Sequence, residues 1–129
     1  MYVKNNTINS GGGGTLTVTT LWTNSSPSTS MSITDVPLSQ SMTNIDYIRI
    51  TFFRITTQTE TTHTITVPVS QLVDSSASTV RFNLVYYTAA RMFYKHDSNS
   101  SIRFYNGTSG DSGNSNVCIP TLIEGLKYG

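Results

Sequence analysis

Helix-forming residues are scarce in this chain: its 129 residues include only 3 Ala, 2 Glu and 7 Leu. Helical bundles, coiled coils and doubly wound α/β enzymes draw on those residues, so all three are excluded. Charge is low as well, at 12% of residues with a net charge of +1. The eight Lys and Arg are scattered rather than clustered, and the pI is near 7.9. A nucleic-acid binder would carry a basic stripe. A single cysteine, Cys118, leaves no internal disulfide to form. No apolar run approaches the roughly 20 residues of a spanning helix, so no membrane insertion is expected. The segment Met1–Asn6 shows no basic region followed by an apolar core, so no signal peptide is expected.

What is present is hydroxyl and amide. Thr, Ser and Asn make up 49 of 129 residues, and aromatics make up 10%. β-Branched and aromatic residues favour strands, and short alternating segments recur between turn residues. Strands are expected at Thr15–Trp22, Met31–Leu38, Tyr47–Ile55, Thr62–Val69, Val80–Tyr87, Arg91–Lys95, Ile102–Tyr105 and Val117–Leu126. Leu16, Val18 and Trp22 are expected to share one face. In 47–55 both faces are partly apolar, so that strand is expected to be central and covered twice. A short helical turn fits 69–73, and turn-rich loops fit 23–30, 96–101 and 106–116. The expected fold is an all-β antiparallel β-sandwich, jelly-roll-like, with about eight strands over 15–129. Residues 1–14, which end in Gly11–Gly14, read as a flexible tether with a glycine hinge.

Catalytic and metal patterns are thin. His63 and His96 are not paired in sequence, and Cys118 has no neighbouring Cys or His. Asp35, Asp46, Asp74, Asp97 and Asp111 form no calcium-loop spacing. Glu60 and Glu124 are the only glutamates, and His96-Asp97 reads as the start of a polar loop. No Gly-x-Ser-x-Gly elbow occurs. Sequons at Asn5, Asn24, Asn99 and Asn106 are near the number that chance gives in so Ser/Thr-rich a chain. No enzyme activity, no cofactor and no metal are expected. Binding is what remains. Tyr86-Tyr87, Phe93-Tyr94 and Phe104-Tyr105 each send one ring to either side of a strand. One ring of each pair belongs to the core, and the other is left for the surface or a subunit interface.

The segments Leu21-Trp22-Thr23-Asn24-Ser25-Ser26-Pro27, Asp46–Phe52, Val67-Pro68-Val69 and Cys118–Lys127 occur in an order that resembles a known group. They are similar to small C-terminal and minor structural modules, tail-fibre or head-appendage, of phages and prophages of Gram-positive gut bacteria. The likeness covers about residues 20–127. The family order Tyr-Asp stands here as Asp46-Tyr47. The resemblance implies a virion protein, made in the host cytoplasm and released by lysis. It also implies a homotrimer, as virion fibres commonly are, and the two-faced strand 47–55 and the surplus aromatics fit that.

The expected function is a fibre or tail-tip module that attaches to host-surface glycans. Its tether would dock on other virion proteins. The alternatives are a capsid decoration or head-fibre protein that binds only other virion proteins, and a carbohydrate-binding module. The resemblance supplies no residue-level site. From position alone, Tyr105, Asn106, Asp111 and Asn114 are the expected ligand contacts, since they form a strand end and its polar loop.

Overall fold

A computed structural model describes residues 5–9, 15–54, 62–72, 91–96, 98–106 and 118–129. The described strands are β1 (Asn5–Asn9), β2 (Thr15–Thr23), β3 (Thr34–Pro37), β4 (Tyr47–Arg54), β5 (His63–Pro68), β6 (Arg91–His96), β7 (Ser98–Asn106) and β8 (Cys118–Tyr128). They form a five-stranded sheet in the order β1-β2-β8-β4-β5 and a three-stranded sheet in the order β3-β7-β6. Every described pairing is antiparallel. Single 3₁₀ turns sit at Met42–Asn44 and Val69–Gln71, the second within the expected helical turn.

One core joins the two sheets, and the fold is all-β. Leu21, Ile48, Ile50, Val67 and Ile123 from the large sheet pack with Val36, Phe93, Ile102 and Phe104 from the small one. Period-two alternation produces this arrangement. Ile48, Ile50 and Phe52 of β4 turn inward, while Arg49 and Thr51 between them turn out. In β5, His63, Ile65 and Val67 lie on the more buried side and Thr64 and Thr66 are exposed.

Four expectations change. First, β4 lies inside the sheet, but the middle strand is the closing one, β8. The outer side of β4 is half open: Tyr47 is 37% exposed, and Arg49 reaches Glu124 of β8 at 2.9 Å. Second, Leu16 and Val18 do not share a face with Trp22. The β2–β8 register slips between Thr20 and Trp22, and this bulge places both Leu21 and Trp22 against the core. Third, residues 98–101 are not loop. They begin β7, where Ser101 lies opposite Pro37 and the Ser100 carbonyl accepts from the Leu38 amide at 2.8 Å. Fourth, Asn5–Asn9 within the tether segment pair with β2 as an edge strand. Ladder bonds come from the backbone, so polar composition alone does not prevent a strand at an edge. The strand expected at 80–87 and the glycine hinge at 11–14 lie outside the described residues.

Pro120 lies within β8, although proline cannot donate to a ladder. The β4–β8 register slips beside it, between Thr51 and Phe52. On the other side the β2 pairing has ended at Thr23 opposite Leu122. The β2 side has therefore released Pro120, while on the β4 side it still lies opposite Phe52, with the slip falling at the neighbouring Thr121.

Candidate functional site

The chain leaves β2 at Thr23 and enters β3 at Thr34, so the connection crosses from the large sheet to the small one. Asn24 sets its course. The Asn24 backbone N–H donates to the Thr121 carbonyl at 2.9 Å, and its side-chain Nδ2 donates to the Pro120 carbonyl at 3.0 Å. Its Oδ1 accepts from the Ser26 amide at 2.8 Å, an Asx turn, and the Thr29 amide then closes a turn onto the Ser26 carbonyl at 3.1 Å.

This folded loop encloses an open cleft of about 200 Å³ at the seam between the sheets. Trp22 and Met31 supply its apolar surface, and both also pack on the core. The indole is backed by Phe104, with ring centroids 6.1 Å apart. The Ser26, Thr29, Ser30 and Thr34 hydroxyls belong to the same lining. Thr34 donates its hydroxyl to the Ser32 carbonyl at 2.9 Å and keeps acceptor capacity. The described lining carries no charged side chain. A rigid aromatic surface with a few hydroxyls is suited to a ligand that has an apolar face and hydroxyl edges.

Tyr105 lies elsewhere. Phe93, Ile102 and Phe104 face the core, so Tyr94, Arg103 and Tyr105 take the opposite side of the small sheet. There Arg103 holds Asp35 in a forked pair at 2.6 and 2.9 Å. His96 Nδ1 lies 3.5 Å from the same carboxylate. The Tyr94 ring stands 6.4 Å from Tyr105 and 6.2 Å from His96. Tyr94 is only 2% exposed although it turns away from the core, while Tyr105 is partly exposed. The hydrogen bond from Arg103 holds the Asp35 carboxyl below its usual value of 3.8. The same bond raises the Arg103 guanidinium pKa further.

Of the four expected ligand residues, Tyr105 and Asn106 therefore end β7, and Tyr105 faces away from the cleft. Asp111 and Asn114 lie outside the described residues. Position in a polar loop is what singles out 106–116 in the sequence. The same signal at 23–30, with Trp22 beside it, points to the cleft. Glu124 is tied to Arg49, and Glu60 and Asp97 lie outside the described residues. Among the described residues no three His, Cys, Asp or Glu side chains gather as a metal site. No described helix is long and apolar enough to cross a membrane.

No family model, no curated protein and no solved structure matches the chain.

Proposed function

We propose that this chain is a non-catalytic phage virion module that attaches the particle to a host-surface glycan, with the glycan seated in the Trp22 cleft. The observation that carries the reading is the cleft itself: one indole, backed by Phe104, among Ser and Thr residues, with no charged side chain in its described lining. Pyranose rings present an apolar face to such an aromatic and their hydroxyls to Ser and Thr. The sequence resemblance to fibre and appendage modules supplies the setting. Each site is small and its affinity correspondingly weak, so the working unit is a homotrimer in which repeated sites act at high effective concentration.

Binding of the isolated protein to host cells and to their extracted surface glycan tests the proposal. Ser30 is exposed on the rim of the cleft, so Ser30→Phe fills the cleft without touching the core. Binding that the wild type shows and Ser30→Phe loses, at unchanged thermal stability, supports the reading. A wild type that binds no host surface transfers the protein to a role among virion proteins only. Light scattering after size exclusion tests the oligomer: a trimer has three times the 14.1 kDa of one chain.

A further inference from the structure

The chemistry of the cleft narrows its ligand, on the reading that the cleft binds carbohydrate. We infer that it takes one neutral pyranose ring at the end of a glycan, with a methyl-bearing substituent, N-acetyl or 6-deoxy, set on Met31.

Three observations lead there. The first is charge. Neither acid nor base occurs in the described lining, and the nearest ionised group in sequence, Asp35, is turned away. Thr34 and Asp35 are adjacent on β3, so alternation sends Thr34 to the cleft side and Asp35 to the far side, where Arg103 holds it. A uronic or sialic acid would lose water from its carboxylate here and find no cation among the described lining residues in return. The second is size. A cleft of about 200 Å³ falls below the roughly 300–1,000 Å³ of clefts that enclose drug-sized molecules, so it holds a single ring and not a chain of several.

The third is how the polar groups are used. Both ends of the Asn24 amide already hold the loop, through Pro120 and the Ser26 amide. Ligand hydrogen bonds therefore fall to the Ser26, Thr29 and Ser30 hydroxyls, which make no hydrogen bond among the described residues. Hydroxyls both donate and accept, as sugar hydroxyls do, and so suit neutral partners. Met31 adds a polarizable apolar surface besides the indole. A bare hexose has nothing to place there, whereas an N-acetyl or 6-deoxy sugar has a methyl group.

The chain contains one tryptophan, Trp22, so its fluorescence reads the cleft directly. The full chain is titrated with free N-acetylglucosamine, fucose and glucose, with glucuronate and N-acetylneuraminate, and with extracted host polysaccharide. The expected result is tighter binding of N-acetylglucosamine, fucose or both than of glucose, no response to either acid, and no response in Ser30→Phe. Which of the two neutral ligands responds identifies the source of the methyl group. Met31→Ala weakens the methyl-bearing sugar about fourfold, the worth of one buried methyl group, and leaves glucose unchanged. Met31→Leu, which keeps the bulk and the apolar surface, restores the preference. An acid that binds as tightly as the neutral sugars overturns the inference. So does glucose binding equal to the others, and so does a response to polysaccharide with none to single sugars. In the last case the carbohydrate reading stands. If nothing in the series, polysaccharide included, moves Trp22, the carbohydrate reading itself fails.

Discussion

The Trp22 cleft and the Tyr105 face lie on opposite sides of the same three-stranded sheet, and they use polar side chains in opposite ways. On the Tyr105 side the charged groups engage one another, while the buried Tyr94 hydroxyl has no hydrogen-bond partner among the described residues. Asp35 accepts two bonds from Arg103, and His96 stands beside the same carboxylate. That side clasps β3 to β7 and β6. At the cleft, the Ser26, Thr29 and Ser30 hydroxyls point at no partner among the described residues, and a rigid ring lies next to them. Polar groups that satisfy each other build a sheet, whereas polar groups left open beside an aromatic are available to a ligand.

The contrast breaks most severely at the ring the two regions share a strand with. Phe104→Ala removes a fully buried side chain and the backing of Trp22. It is expected to cost about 3–5 kcal/mol, read by chemical denaturation, with the Trp22 emission shifting to longer wavelength in the native state. A cost under about 1 kcal/mol would mean that the core closes around the gap and that Trp22 does not depend on it.

Asn24→Ala comes next. It leaves the Pro120 carbonyl and the Ser26 amide without their side-chain partner, for a loss of about 1–2 kcal/mol. Because the Asx turn shapes the cleft, ligand response should fall more than stability does. Equal loss of both would show that Asn24 supports the sheets in general and not the cleft in particular.

Tyr105→Ala sharpens the comparison by doing little. With the ligand in the Trp22 cleft, host and glycan binding remain unchanged, because Tyr105 faces the other side of β7. Lost binding in a variant of normal stability would move the site to the Tyr105 face.

The smallest effect is that of pH. The Asp35 pKa is lowered in the folded state, first by the Arg103 bond. Its contribution to stability is therefore complete above its usual value of 3.8 and is lost as pH falls through the lower folded value. The pair is largely solvent-exposed, so the change is slight. Thermal midpoints of wild type and Asp35→Asn should differ at neutral pH and converge in acid. A gap that persists at the lowest pH would rule out the charge as its source.

How legible each element was follows from what the sequence displays. In β4 and β5, apolar residues alternate with Arg or Thr, so burial and period could be read directly from Ile48, Ile50, Phe52, Ile65 and Val67. The pairs Phe93-Tyr94 and Phe104-Tyr105 divided as alternation requires, one ring inward and one outward. The polar elements β1 and the first half of β7 were not legible, because their ladders are made by backbone groups common to every residue. The bulge at Leu21 was also hidden. An apolar pair such as Leu21-Trp22 looks the same in sequence whether or not the register slips, and only the β8 partner decides it.

Composition and alternation by themselves determined that this chain is all-β and which residues of its regular strands turn inward, because burial of apolar side chains depends on local period. Tertiary structure alone decided that the closing segment is the middle strand, that Pro120 fits there, and that Asn24 is tied across to Pro120 and Thr121 to fix the course of the cleft loop. These are matters of register and of contacts between segments about 100 residues apart, such as Asn24 and Pro120, which no local pattern encodes.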